Sequence, residues 1–473
     1  MIAGFIFTQS RPSAVLRGTS RVKNHVTGGK KVCLAGVLRP RLRVKASAAS
    51  GSLLSALKDQ IFNRKDELAA LKRRFDEEPS ELLILLGPAN CGKTKLLEEV
   101  KKDRELGQAV IGDGPPPIIY LDCRGQDITS PQQFANAIRE LITEDAGLQD
   151  WWKDLDRLRK ASKFKLPGYE ADLGELFASA ADKPPMASII ASLTKFLEAT
   201  RPLPYKPVII IDEANVMMDW HGDPGRTQLK ALLRFFVKTT KQAHLGHIVL
   251  ASSESFVIDF LENEGLHTKN YITQAVGDLA TIDEAKEYIE SRMHCKKAPP
   301  SFFDTTENGE QIDMWPRVYE VCGGNIGLLE RCARYAKIEG SWEEGLKTVG
   351  MDPEDAVQRG LWPKGFSRTG GSRSPPAWTK EDYKTVSREI ALAEEHRHAV
   401  SFDKLRNMLG EEAVLSMLEW NLVALRRKSS WAKDLPETLF SDLKDTKLVT
   451  MPSPVESYFV LKMFEAGKLD CSI

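Results

Sequence analysis

Several common features are missing from this 473-residue sequence. Its seven cysteines (Cys33, Cys91, Cys123, Cys295, Cys322, Cys332 and Cys471) form no C-x-x-C pair and no Cys/His cluster at zinc spacing. That argues against a structural zinc site or a disulfide framework and reads as reduced thiols in a reducing compartment. No apolar run approaches the roughly 18 to 20 residues of a membrane span, so a soluble chain without a membrane span is expected. Acidic residues are absent from positions 1–50, which hold ten Lys or Arg; the first acid is Asp59. A basic, acid-free leader without a secretory apolar segment has the make-up of an organelle transit peptide. Its end, "LRVKASAAS", favours a plastid, with the mitochondrion as the alternative. Net charge is absent too, 66 basic residues balancing 66 acidic ones. Without the leader, 56 basic residues face 66 acidic ones, and such a body lacks the basic footprint of a general nucleic-acid binder.

What is present is an ordinary globular balance, 42% hydrophobic and 28% charged, in a chain long enough for two or three domains. After the leader, "LLSALKDQIFNRKDELAALKRRFDEE" has the apolar spacing of a helix. Short apolar runs then alternate with helical stretches. Strands are expected at Leu82–Leu86, Ile118–Asp122, "PVIIIDEAN", "HIVLASSES" and "NYITQAVGDL". This alternation predicts an α/β fold, a parallel sheet of about five strands flanked by helices over residues 51–278, with a helical insertion at about 150–200. Helices at 282–294, 311–322 and 327–338 predict a helical lid within 279–361. The Gly-, Ser- and Pro-rich stretch 362–378 reads as a linker. Residues 379–473 then read as a winged-helix-like domain of three helices and two strands.

The strongest motif is "GPANCGKT", Gly87 to Thr94, set between an apolar strand and a helix. Gly87 and Gly92 let the backbone approach phosphate oxygens closely. Amide groups from Pro88, Ala89, Asn90, Cys91 and onward to Lys95, at a helix start, form a nest for an anion, apart from the proline, which has no N–H. Lys93 is the side chain for the β- and γ-phosphates, and the Thr94 hydroxyl is a ligand for Mg²⁺. Cys91 is either a low-pKa, redox-sensitive thiol or a small residue tolerated in the loop.

The second motif is "VIIIDEAN". Asp212, at the tip of a buried strand, can hold the magnesium, and Glu213 can orient and deprotonate an attacking water. The strand Ile118–Asp122 is expected to lie between the loop's strand and this one, the mark of the additional-strand, catalytic-glutamate class. At the end of "HIVLASSES", Ser252 and Ser253 are candidates for bonding the water or the γ-phosphate, or else for capping the next helix.

Taken together, "IFNRKDEL", the phosphate loop, "IIIDEAN", "IVLASS", "VGDLATIDEAKEYI" and "VCGGNIGLLERCARY" resemble the archaeal-type ATPase family of AAA/STAND-like proteins. The resemblance covers about Phe62 to Lys337. It implies an additional-strand nucleotide domain with a helical lid, ATP and Mg²⁺ as ligands, slow turnover, and a nucleotide state that switches lid and partner contacts. It places Phe62, Arg64 and Glu67 beside the nucleotide. Two departures stand out. The family's Gly-Gly-x-Pro lid motif is Gly323-Gly324-Asn325-Ile326 here, and the arginine often found before the fifth strand is absent, with Lys269 nearby. Lysine lacks the fork of arginine; Arg226 and Arg234 are possible substitutes.

The expected function is therefore ATP hydrolysis driving a switch or remodelling factor on a protein partner bound by the lid or C-terminal domain, with oligomerisation open. The alternatives are an ATP-gated scaffold with little turnover and an organellar DNA-associated ATPase. In the C-terminal domain the candidate recognition helix begins with Glu411 and Glu412, and Arg426, Arg427 and Lys428 make one small basic patch. Packing on the ATPase core or contact with protein is favoured there over DNA. Trp151, Trp152 and Trp220 are either partner sites or core.

Overall fold

The structure is a computed structural model that describes residues 61–106, 116–161, 186–220, 222–366 and 374–469. The transit-peptide reading of 1–50, part of the helical insertion (162–185) and the middle of the linker (367–373) lie outside the described residues.

Helix α1 (Lys65–Asp76) leads into β1 (Leu82–Leu86), the phosphate loop and α2 (Lys93–Leu106). Then come β2 (Ile118–Asp122), α3 (Pro131–Glu144), α4 (Ala146–Ala161), α5 (Met186–Ala199), β3 (Val208–Asp212), α6 (Gly222–Val237), β4 (His247–Ser252), α7 (Val257–Asn263) and β5 (Tyr271–Ala275). The five strands form one parallel sheet in the order β2-β3-β4-β1-β5. Successive side chains of a strand point to opposite faces. In β1, Leu82, Ile84 and Leu86 accordingly join the core under α3, α5 and α6, while Leu83 and Leu85 join the core under α1 and α2. A strand covered on both faces must be apolar throughout, and "LLILL" is. Trp152 and Trp220 belong to the first of these cores, Trp220 donating its indole N–H to Ile128 O at 3.1 Å, and Trp151 packs beside them, so these residues are core and not exposed partner sites.

One expectation about the sheet is corrected. Expected between β1 and β3, β2 instead forms an edge beside β3, and the strand that separates β1 from β3 is β4. The burial patterns agree with this placement. All six residues of β4 are buried, whereas Tyr120 and Asp122 of β2 are partly exposed. The additional-strand arrangement holds, carried by β4.

The lid comprises α8 (Ile282–His294), a hairpin of β6 (Phe303–Thr305) and β7 (Gln311–Asp313), α9 (Trp315–Cys322), α10 (Ile326–Glu339) and α11 (Trp342–Gly360). A helix was expected from Gln311; it begins at Trp315, where Asp313 Oδ1 accepts the Trp315 N–H at 3.0 Å and Pro316 suits a first turn. The C-terminal module contains α12 (Lys380–Leu392), β8 (Val400–Ser401), α13 (Phe402–Leu409), α14 (Glu411–Glu419), β9 (Ala424–Arg427), α15 (Glu437–Asp442), β10 (Lys447–Thr450) and α16 (Pro454–Glu465). Its strands form an antiparallel sheet, β8-β10-β9. "KLVTMPSPVESYFVL", expected as a strand, is β10 followed by α16, the helix starting where Pro454 fixes its first turn. Parts of the linker pack: Phe366 stacks edge-on against Trp378 and Trp420, and Trp378 Nε1 donates to Gly360 O at 3.1 Å, while Trp362 is exposed. Among the described residues no helix is long and apolar enough to cross a membrane.

Candidate functional site: a nucleotide cleft

Parallel strands deliver their carboxyl ends to one edge of a sheet, and ligands of such folds gather there. A cleft of about 580 Å³ lies at that edge, between the phosphate loop and the lid. Gly92, with φ +100°, takes a backbone conformation that a side chain resists, and it turns the loop into α2. Lys93 is buried, its Nζ donating to Gly87 O at 2.9 Å and Pro88 O at 3.0 Å, which fixes the ammonium inside the loop.

Thr94 Oγ1 donates to Asp212 Oδ2 at 2.6 Å. The same carboxylate oxygen accepts from Tyr120 Oη at 2.9 Å and faces Arg124 Nη2 at 3.4 Å. Burial and the adjacent Asp212 push the Tyr120 phenol well above its usual range, so it stays a donor. The in-register pairing of Asp122 with Asp212 across β2 and β3 brings Arg124 to this place. Its guanidinium grips Asp122 with two 3.0 Å bonds. Burial raises the Asp122 carboxyl, and the Arg124 hydrogen bonds outweigh that, leaving it below its ordinary value.

Glu213 adopts a left-handed backbone, φ 55° and ψ 47°. Its N–H bonds Asp212 Oδ1 at 3.1 Å, and its carboxylate accepts from Ser253 Oγ at 3.0 Å. The two candidate serines therefore separate. Ser253 lines the cleft with Glu213, whereas Ser252 is buried, donates to Asn215 Oδ1 and Glu254 O at 3.2 Å, and accepts from the Glu254 N–H, a turn-capping role.

Ala89, Asn90, Gly92, Lys93, Thr94, Lys95 and Arg64 all line the cleft. Gly87 and Pro88 contribute the carbonyls that hold Lys93. Arg64 is buried and spans the loop's base, donating to Cys91 O at 3.2 Å, to Gly277 O and to Glu67. Cys91 lies beneath the loop, fully buried; burial raises its thiol pKa, the reverse of what a redox-sensitive thiolate needs.

The lid closes the cleft by direct contact with the loop. Asn325 caps α10, accepting from Leu328 N at 3.1 Å, while its Nδ2 donates to Ala89 O and Asp278 Oδ1, both at 2.9 Å. Gly327 N bonds Asn90 O at 3.2 Å, and a Cβ at Gly327 would collide with Asn90 Cβ. Ile326, which stands where the resemblance led a proline to be expected, lines the cleft. At the far end, Phe62 packs edge-on against Tyr288, whose hydroxyl lies 2.6 Å from Glu330 Oε1 and 2.8 Å from Arg292 Nη2. Sequence reasoning passed over Tyr120, Arg124, Tyr288, Arg292 and Glu330, because only the sheet order and the lid's approach bring them to the loop. Lys269, Arg226 and Arg234 do not line the cleft.

A family model described as an ATPase domain predominantly from Archaea matches residues 61–331. The chain belongs to this family. Curated relatives include an uncharacterized ATP-binding protein of Pyrococcus abyssi, 26% identical over 44% of this chain and 57% of its own length. Another, from Methanocaldococcus jannaschii, is 29% identical over 43% of this chain and 54% of its own length. The chain thus spans a little over half the length of these relatives. Among solved structures, a Walker-type ATPase of Pyrococcus abyssi aligns with a TM-score of 0.48 and 15% identity, covering 85% of this chain and 97% of that one. The Aeropyrum pernix ORC1 protein in complex with DNA aligns with a TM-score of 0.35 and 16% identity, covering 87% of this chain and 96% of that one. The family's ATPase domain spans the sheet and most of the lid, so the loop, Asp212, Glu213 and Asn325 all fall inside it.

Proposed function

We propose that this chain binds ATP with Mg²⁺ and hydrolyses it slowly, as a nucleotide-driven switch or remodelling factor acting on a protein partner. The observation that carries the reading is the pairing of Glu213 with Ser253 at the cleft wall, one residue beyond the Asp212–Thr94 pair. Family membership and the phosphate loop support ATP as the ligand. A hydroxyl and a carboxylate oxygen 2.6 Å apart are hard donors that suit Mg²⁺. Thr94 and Asp212 would hold the ion, which when bound would neutralise charge on the β- and γ-phosphate oxygens.

The chain's own residues account for the rest. Loop amides and Lys93 bind the phosphates and stabilise charge at the leaving oxygen. Glu213 accepts the proton of the attacking water, whose oxygen forms the new bond to the γ-phosphorus as the bond to the bridging oxygen breaks. Ser253 orients the carboxylate. Asn325 and Gly327 make lid closure sensitive to the loop's conformation, the element through which nucleotide state would reach a partner. Equilibrium titration with a fluorescent ATP analogue tests the binding half: Lys93→Ala should lose about tenfold or more in affinity, about 1.4 kcal/mol. Unchanged affinity would remove the loop from nucleotide binding.

A plastid address for the chain rests on the basic, acid-free residues 1–50. Fused to a fluorescent reporter, that segment should carry it into plastids; accumulation in mitochondria or cytosol would reverse this assignment.

A further inference from the structure

Hydrolysis of the γ-phosphoryl group needs positive charge on its outer oxygens, and in many such enzymes a guanidinium provides it, from the same chain or from a neighbour. Within one chain, none of Lys269, Arg226 and Arg234 lines the cleft, and Arg226 is paired with the buried Glu264 at 3.3 Å. Apart from Lys93 in the loop and Lys297, whose ammonium lacks a guanidinium's planar fork, the cleft's other cations have partners. Arg64 is tied to two backbone carbonyls and Glu67. Arg292 is held by Glu330 at 3.1 Å and by Tyr288 at the far end. Lys95 pairs with Glu98 at 3.6 Å.

Arg124 differs. Its side chain is half exposed, it lines the same cleft wall as Lys93, Thr94, Glu213 and Ser253, and its Nη2 lies 3.4 Å from the Asp212 oxygen that bonds Thr94. The guanidinium is anchored from behind. Asp122 takes Nε and Nη2 at 3.0 Å and accepts the Arg124 backbone N–H at 3.0 Å, so both turn and fork are set before any ligand arrives. A guanidinium has five donors in a rigid plane, and the two bonds to Asp122 use Nε and Nη2, leaving the Nη1 arm for a further acceptor. The acceptor that fits, next to the Thr94–Asp212 pair and facing Glu213, is a γ-phosphate oxygen.

We infer that Arg124 is a catalytic residue that supplies, within one chain, the guanidinium stabilising the γ-phosphoryl transition state. The inference rests on the hydrolase reading above. The reaction is ATP plus water giving ADP plus phosphate: the water oxygen bonds the γ-phosphorus, the bridging-oxygen bond breaks, the electron pair leaves on ADP, and the proton passes to Glu213. Arg124 transfers nothing; it bonds the non-bridging oxygens as their charge shifts.

The test uses the full chain with Arg124→Ala and Arg124→Lys. Turnover of Arg124→Ala should fall by about 10³-fold, the scale of guanidinium loss in this role, with ADP affinity within about threefold of the parent. Arg124→Lys, which keeps the charge without the fork, should recover only part of the rate. Affinity for ADP with aluminium fluoride and Mg²⁺, a mimic of the transferring phosphoryl group, should fall steeply in Arg124→Ala while ADP affinity holds. Mixing Arg124→Ala with Glu213→Gln should restore no turnover, since each chain needs its own arginine. Full turnover in Arg124→Ala, equal loss of ADP and fluoride-complex binding, or recovery on mixing would each overturn the inference. Failure of the hydrolase reading is distinguishable, because it would show in the parent chain, with no phosphate released and no tightening by aluminium fluoride.

Discussion

Glu213 holds a left-handed backbone that costs a non-glycine residue about 1 kcal/mol or more, and the bonds to Asp212 and Ser253 keep it there. Its sequence position after a buried aspartate was enough to nominate it. Ser252 and Ser253 show the limit of such reading: adjacent residues at a strand's end point opposite ways, and which faces the cleft depends on the strand's register against β1 and β3. Asp278 was not nominated, because its setting is built from distant segments. Burial and Asp434 push its carboxyl up to about 7, against the pull of Arg426, Arg64 and the Asn325 amide. The ordinary value for an aspartate is about 3.9. Between the two values the folded chain retains a proton that the unfolded chain has released. Stability contributed here therefore falls as pH rises from about 4 to about 7, and the deficit is complete above that. Asp278→Asn removes the slope. Its melting temperature relative to the parent should be higher at pH 8 than at pH 5; an offset equal at both pH values would refute the assignment.

At the scale of elements, the helices and strands of the sheet were legible because buried parallel strands are short and fully apolar and the intervening helices carry clear caps, such as Ser130 ahead of Pro131. Strand order was not legible, since β2 and β4 both read as apolar runs and only packing sets which becomes the edge. The lid was read as lacking its proline. The structure shows what serves in its place: Asn325 caps α10 and bonds the phosphate loop and Asp278 together, and Gly327 lets α10 touch Asn90. Gly327→Ala places a methyl against Asn90, so the lid must shift away from the loop. Nucleotide affinity in a fluorescent ATP titration should drop by about tenfold, about 1.4 kcal/mol, while far-ultraviolet circular dichroism stays that of a folded chain. Unchanged affinity would mean that lid and loop act independently.

Across the whole molecule, the C-terminal module is bonded to the ATPase core around β5. Ser429 Oγ accepts from Ala275 N at 3.1 Å and donates to Gln274 Oε1, Leu425 N donates to Ser255 Oγ at 2.9 Å, and Lys433 lies 3.7 Å from Glu67. The patch considered for DNA is occupied internally: Arg426 pairs with Asp434 at 2.7 Å, Arg427 with Asp259 at 3.8 Å and Lys428 with Glu437 at 3.1 Å. The sequence showed the basic residues but not their partners, which lie in other elements or, for Arg426, across a turn. Arg426→Ala leaves Asp434 without its cation, next to the buried Asp278. Breaking one side of such a largely buried pair costs about 3 to 5 kcal/mol, measurable as a lower urea midpoint; a shift under about 1 kcal/mol would mean the pair is effectively solvated.

On the proposed reading Glu213 activates the water that cleaves ATP in this cleft, and single-turnover phosphate release, with the chain in excess over ATP and Mg²⁺ present, measures that role. Glu213→Gln should bind ATP as the parent does and release phosphate about 10² to 10⁴ times more slowly. Equal rates in the two proteins would mean that Glu213 does not activate the water.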